Sequence, residues 1–406
     1  MILLYPVFFI LWFIFIKDKK NHLIYSCFIF AFFLSSICST YLIYFDEEFK
    51  NNIIDFVAII YHLVAFFVLF YPLRHFDKRR KMPFLPSRST ILYPFTIFII
   101  IIMVIYFVNS IVFVSFDGLL EDAANVRYET SEESYSNFAH NSLLSYVDII
   151  ARNYSFLPLA LAFYYIKNSP NNKVLIFVLL FCSIVNPIIS LKVASRDMII
   201  RYTVVFALCY YFFKENLQKE WAGKLKKYIV VIGGLSVLMF IVISVSRFEY
   251  RTDNGTIVSF SHYFGQGFAN FSKFFVVFPD GLRPKNHGGV RFPIFADHAV
   301  NSLNTGDDVS ANFHLNVFST SVGSFVGDCG WAIGILVVLA VSGLFNYIGR
   351  MKSNNVFTLF YTICIFEFSY MSIFYYSGRV DKYFVLLMLL LVVLDKNSRI
   401  LPPKIL

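Results

Sequence analysis

Charge is scarce in this chain: only 15% of its 406 residues are Asp, Glu, Lys or Arg, whereas 58% are apolar. That balance excludes a soluble domain and describes an integral membrane protein. Nucleotide signatures are missing as well, with no P-loop and no GxGxxG, and the HExxH zinc motif is absent. The six cysteines, at 27, 38, 182, 209, 329 and 364, include no CxxC pair, and nearly all fall in apolar stretches. Free apolar thiols fit this pattern better than a disulfide frame or a zinc site. The first apolar stretch has neither a basic leader nor a small-residue cleavage site, so a retained anchor is expected.

What is present is apolar length. Eleven stretches can cross a bilayer: 1–16, 23–45, 53–71, 91–115, 146–166, 174–191, 198–213, 228–246, 328–348, 357–376 and 380–395. A span needs about 20 residues, and the shorter ones extend into their flanks. The alternate connections 17–22, 72–90, 167–173, 214–227, 349–356 and 396–406 hold 21 of the 35 Lys and Arg residues. Positive-inside logic puts these in the cytoplasm, the N-terminus outside and the C-terminus inside. None of the cytoplasmic connections exceeds 72–90, which leaves no room there for a soluble ATPase or nucleotide-sugar domain. The net charge of +9 then reflects topology and lipid headgroups, with no nucleic acid implied. The expected fold is one all-α polytopic domain over 1–406, of about eleven transmembrane helices.

Two outer loops stand out. The segment 117–145 is acidic (Asp117, Glu121, Asp122, Glu129, Glu132, Glu133) and reads as a solvated cap. The segment 247–327 is balanced, with six basic and six acidic residues, and holds His262, His287, His298 and His314. A loop of that length is functional or disordered, and its Phe, Tyr and Val content argues against disorder. Within it, 258–278 places His262, Gln266, Asn270 and Lys273 along one helical face, and Phe264, Phe268, Phe271 and Phe275 on another. This predicts an interfacial or re-entrant helix with the polar face toward substrate. A twelfth crossing here would carry the basic C-terminal connections outside, against the charge rule.

The cations left on the outer side are the anomaly. Lys192, Arg196 and Arg201 flank the turn between the sixth and seventh spans, and Arg247 and Arg251 leave the eighth. Arg379 marks the turn before the last span, and Arg291 lies in the large loop. Snorkelling to headgroups explains any one of them. Two paired clusters point instead to an anionic ligand, because the planar guanidinium binds phosphate oxygens in a bidentate fashion. Gly323, Gly327, Gly330 and Gly334 form a small-residue stripe beside Asp328, expected to pack closely against another helix. Glu367 sits inside the tenth span, where a carboxylate is either functional or hydrogen-bonded to a neighbour. Asp46, Glu47 and Glu48 lack a second acidic group at ligand spacing, so the signal for a metal is weak.

The stretch Asn316-Val317-Phe318-Ser319-Thr320, followed by Asp328-Cys329-Gly330-Trp331 and Gly334, resembles a motif of the oligosaccharide repeat-unit polymerases (Wzy-type O-antigen or capsule polymerases). The segment SHYFGQGFANF is similar to that family's aromatic-Gly-Asn-Phe segment, and Ser195-Arg196 also looks familiar. The resemblance covers the whole chain in architecture and about 190–335 in residues; Cys329 stands where an aromatic is common.

This resemblance implies glycosyl transfer on the outer face of a bacterial inner membrane. The donor would be a glycan on undecaprenyl diphosphate and the acceptor a lipid-linked repeat unit. Membrane lipids and a chain-length regulator are the implied partners. Such chemistry needs no cofactor and no metal if Arg196 and Arg251 stabilise the departing diphosphate. His314, two residues before Asn316, is the candidate base. Lys192, Arg201, Arg247, His262, Gln266, Asn270, Lys273, Arg291, Asn316, Asp328 and Arg379 are the candidate substrate contacts. A glycan ligase uses nearly the same chemistry. A lipid-linked-oligosaccharide flippase fits the many spans but is expected to show internal repeats, and none is visible. The topology makes its own prediction: alkaline phosphatase fused after residue 300 is active and after residue 222 inactive, and the reverse pattern overturns it.

Overall fold

The computed structural model describes residues 1–16, 22–50, 52–79, 89–112, 142–192, 197–249, 256–277, 320–351 and 355–373. Nearly all of them are helical, and no strand occurs among them. In chain order the helices are α1 (Leu4–Phe15), α2 (Leu23–Phe45), α3 (Glu47–Lys50), α4 (Phe56–Phe70), α5 (Phe76–Arg79), α6 (Ser89–Val112) and α7 (Ser142–Asn153). They continue as α8 (Leu157–Asn168), α9 (Lys173–Lys192), α10 (Asp197–Phe213), α11 (Lys219–Glu249), α12 (Thr256–Val277), α13 (Thr320–Gly349) and α14 (Val356–Met371). A 3-10 turn, Tyr71–His75, joins α4 to α5. Helices therefore occupy ten of the eleven apolar stretches, and 380–395 lies outside the described residues.

Five segments are long and apolar enough to cross a membrane: Leu23–Phe45, Phe56–Arg79, Thr90–Ser110, Lys173–Ser190 and Cys329–Gly349. A sixth is the pair Tyr146–Asn153 and Leu157–Asn168, bent by 58°. Pro158 accounts for the bend, since it lacks an N–H and its ring clashes with the carbonyl four residues back, at Tyr154. Exposed Leu and Ile side chains such as Ile101, Ile333, Leu336 and Leu339 give these helices an apolar outer face.

The chain forms two compact units. Unit 1 comprises Met1–Arg79, Asp253–Lys352 and Cys364–Val380. Its core is aromatic: Phe9, Phe32, Phe66, Phe70 and Phe268 pack with centroids 4.9–6.0 Å apart, several edge to face. Such pairs contribute about 0.5–1.5 kcal/mol each beyond area burial. Asp77 ties α5 to the start of α2, its two oxygens accepting from the amides of Ile24 (3.1 Å) and Tyr25 (3.2 Å). Asp55 caps α4 in the same way through Ala58 N, 2.7 Å.

Unit 2 comprises Arg80–Thr252, Ser353–Ile363 and Asp381–Leu406. Helix α8 is its axis: every residue from Leu157 to Ile166 is buried. Phe163 meets Phe206 and Phe213 of α10 at 5.4 and 5.7 Å.

The small-residue stripe on α13 has two physical roles. Gly330 adopts φ 79°, a left-handed conformation that breaks α13 and that L side chains rarely adopt. The hydroxyl of Tyr61 donates to the carbonyl of Trp331 just past that break, at 2.7 Å. Gly334 serves packing, since a Cβ there would lie 3.3 Å from the Tyr61 hydroxyl oxygen.

The largest departure from expectation concerns α12. It does not present Phe268 and Phe271 to lipid: they are 1% and 0% exposed, against Tyr5, Phe9, His62 and Phe66 of α1 and α4. Helix α12 is packed inside unit 1, chiefly on α2 and α13. Two glycines permit this. A Cβ on Gly265 would lie 2.5 Å from the main chain of Cys38 and Ser39, and one on Gly267 would lie 2.3 Å from the carbonyl of Ile373. Backbone cannot yield as a side-chain tip does. Gly265→Ala and Gly267→Ala are each expected to destabilise the detergent-solubilised protein by about 1–3 kcal/mol, the usual effect of overpacking. Gly343→Ala, with nothing within 4 Å, is expected to be neutral or stabilising. Thermal unfolding checks all three, and equal midpoints would refute the close approach.

Candidate functional site

Three polar side chains line up where α2 ends against α12. Asp46 is the C-cap of α2 and is 6% exposed. Its Oδ2 lies 2.5 Å from Nε2 of His262, and Nδ1 of His262 lies 2.8 Å from Nε2 of Gln266. The spacing of four between His262 and Gln266 puts them on one face of α12, one turn apart. The His262 side chain keeps 25% of its surface exposed while the Asp46 side chain keeps 5%. A buried carboxylate behind a partly open imidazole fixes the orientation of the ring. With Nε2–H donating to Asp46, the Gln266 amide donates to an unprotonated Nδ1. Turning the amide presents its oxygen to a protonated Nδ1. Both ring nitrogens of His262 thus keep a hydrogen-bond partner whichever way the amide is turned.

Asn270, two turns along α12 from His262, is 6% exposed. Its Oδ1 accepts from Nδ2 of Asn52 at 3.2 Å, and the same Nδ2 approaches the carbonyl of Ala269 at 3.3 Å. Asn270 thus holds the α2–α4 connection to α12 and does not face solvent, correcting the expectation that it lies on an open polar face. The reason is the close packing permitted at Gly265 and Gly267. Lys273, one turn further, is intermediate in exposure.

A second polar centre, passed over in the sequence, lies deeper in unit 1. His62 is fully buried. Its Nδ1 is 2.8 Å from the Tyr5 hydroxyl and its Nε2 2.9 Å from Oγ1 of Thr320, and Phe271 stacks on the ring at 3.7 Å. Thr320 is the one described non-glycine residue with positive φ, 65°. That conformation costs on the order of 1–3 kcal/mol. Thr320 Oγ1 also accepts from Gly323 N at 3.2 Å, capping α13, and Ser321 N donates to Ser372 O at 3.1 Å. His62 thereby anchors the start of α13. A lone histidine within an apolar run was the available signal.

In unit 2 the guanidinium of Arg201 donates to the carbonyls of Arg152 (3.3 Å) and Asn153 (2.7 Å), at the end of α7 where the bend begins. Asn186 donates to the same Arg152 carbonyl at 3.3 Å and accepts from the Tyr106 hydroxyl at 3.1 Å. Arg152 itself pairs with Asp148 at 2.7 Å. Arg201, expected to contact substrate, is engaged in bridging a backbone break.

The remaining expected residues fall elsewhere. Arg196, Arg251, His314, Arg291, Asn316 and Arg379 lie outside the described residues. Lys192, Arg247 and Asp328 fall in α9, α11 and α13 with side chains outside the described set. Glu367 is 8% exposed, in α14. Comparison with family models, curated proteins and solved structures finds no match. The geometry predicts an accessibility pattern. A cysteine at 262 reacts with an impermeant maleimide, and cysteines at 268, 270 and 271 stay unreacted until the protein unfolds. Labelling at 270 equal to that at 262 would restore the open polar face.

Proposed function

We propose that this chain is a membrane-embedded glycosyltransferase that extends a glycan carried on undecaprenyl diphosphate, at the outer face of a bacterial inner membrane. The observation that carries this reading is the Asp46–His262–Gln266 array, a carboxylate-oriented imidazole held between two apolar helices. The sequence resemblance to repeat-unit polymerases supplies the substrate class.

In this reading an acceptor hydroxyl attacks the anomeric carbon of the donor glycan. The bond from that carbon to the diphosphate oxygen breaks, and undecaprenyl diphosphate departs with the bonding electrons. Nδ1 of His262 takes the hydroxyl proton as the Gln266 amide gives way. Asp46 stabilises the resulting imidazolium, and later proton loss restores the neutral ring. General-base assistance of this kind contributes about 10²–10⁴-fold to rate. The base is thus assigned to His262 in place of His314, because His262 has a carboxylate behind it. The sequence resemblance alone implies Arg196 and Arg251 for the departing diphosphate, as fixed positive charge that stabilises the negative charge developing there.

The test is glycan chain length in a strain lacking the chromosomal copy and complemented with variants. Asp46→Asn and His262→Ala are expected to leave single repeat units on the lipid core, with protein levels unchanged. Gln266→Glu is expected to shift the pH profile of polymerisation by reconstituted protein to higher pH, since an added carboxylate holds His262 protonated. Full-length polymer in both the Asp46 and His262 variants would remove the array from the chemistry. Lipid-linked polymer accumulating without surface glycan would indicate ligation, and single units trapped on the cytoplasmic face would indicate a flippase.

A further inference from the structure

A different polar cluster gathers at the opposite end of α2 from Asp46, and nothing in the glycosyl-transfer reading uses it. His22 immediately precedes α2, Arg74 and His75 close the 3-10 turn, Lys78 lies in α5 and Arg350 follows α13. Two contacts fix these segments together. Asp77 clamps the first amides of α2 onto α5, and a Cβ on Gly349 would lie 3.1 Å from His75 Cβ. The basic neighbours of His75 are accordingly Arg74, Arg350, Lys78 and His22.

Five basic groups at one point normally call for an acid between them. No ion pair involves any of the five among the described residues. The nearby carboxylate of Asp77 has its two oxygens directed to the amides of Ile24 and Tyr25. Those bonds also satisfy the N-terminus of α2, so any further attraction for an anion comes from the side chains. Two nitrogens in the cluster, Nδ1 of His22 and Nε of Arg74, are buried without a hydrogen-bond partner. Buried polar atoms are rarely left so, which marks the cluster as short of hydrogen-bond acceptors from its own chain. Arg74 is held in place, its guanidinium 3.7 Å over the Tyr71 ring with Nη1 donating to the Tyr71 hydroxyl.

The depth of the cluster identifies the acceptor. It lies at the ends of three of the candidate spans, just before Leu23, within the last turns of Phe56–Arg79 and just after Gly349. The ends of spans lie at headgroup level, where a bilayer presents phosphate. We propose that His22, Arg74, His75, Lys78 and Arg350 form a binding site for a phosphate-bearing anion, supplied by the headgroup of an acidic phospholipid. The plain alternative, that these are solvated positive-inside residues, predicts no retained ligand. Arg suits the task because its fork engages two phosphate oxygens and keeps its charge.

The test uses the full chain in nonionic detergent, measured by native mass spectrometry after incubation with phosphatidylglycerol or phosphatidylcholine. Wild type is expected to retain phosphatidylglycerol in preference to phosphatidylcholine. The double variant Arg74→Gln/Arg350→Gln should retain several-fold less, whereas Lys226→Gln/Lys227→Gln, in unit 2, should match wild type. A second double variant, His22→Gln/Lys78→Gln, serves should the first fail to purify as a folded protein. Displacement of the lipid by inorganic phosphate, but not by chloride at equal ionic strength, would assign the site to a free phosphate. Equal retention of the two lipids, or retention unchanged in both cluster variants, overturns the proposal. Polymer formation is read separately, so neither result depends on the Asp46–His262 array.

Discussion

The arrangement in unit 1 depends on two main chains lying almost in contact. At Gly265 there is no room for a methyl group between α12 and the backbone of Cys38 and Ser39. That proximity lets Ser35 Oγ donate to the carbonyl of Phe264 at 2.5 Å, and it brings the end of α2 within reach of His262. Helix pairs held apart by ordinary side chains stand about 8–10 Å axis to axis, and a glycine at the contact lets the two main chains come closer. In a lipid-facing protein this matters doubly, because the hydrophobic effect adds little to the association of helices already surrounded by hydrocarbon. Close packing and interhelical hydrogen bonds carry the load there.

The same economy recurs wherever the backbone is interrupted. Three such interruptions have side-chain partners drawn from another element: Asp77 for the first amides of α2, Tyr61 for the carbonyl of Trp331, Arg201 and Asn186 for the carbonyl of Arg152. Without water nearby, an unsatisfied group costs several kcal/mol, so irregular backbone survives only where such partners exist. The polar residues inside unit 1 and unit 2 are therefore mostly structural. The Asp46–His262–Gln266 array differs in that two of its members, His262 and Gln266, remain partly open.

Helix positions were legible because hydropathy over twenty residues is a strong local signal, and it located α1, α2, α4, α6, α9, α10 and α14 closely. The faces of those helices were not. In 258–278 the four-residue recurrence of His262, Gln266 and Asn270 was real, but the helix expected to be interfacial or re-entrant buries Phe268 of its other face against Phe9 and Phe66. Periodicity tells that two faces differ, not what covers each. The pairing of Asp46 with His262 spans 216 positions, and nothing local to either residue announces it. His62 was overlooked for a related reason. One imidazole hardly lowers the hydropathy of its run, yet its two hydrogen bonds fix where α13 begins. Arg201 looked like an anion ligand from charge alone. Its occupation by two carbonyls depends on the bend at Pro158, and a proline inside an apolar stretch does not by itself say which groups it strands.

That bend has a consequence for assembly during synthesis. The carbonyls of Arg152 and Asn153 emerge 49 and 48 residues before the guanidinium that covers them. Until α10 has been made and has docked, the carbonyl of Asn153 lacks its Arg201 donor, whereas that of Arg152 can already take Asn186 of α9. In chain order, Arg201 on α10 thus completes a corner laid down two helices earlier.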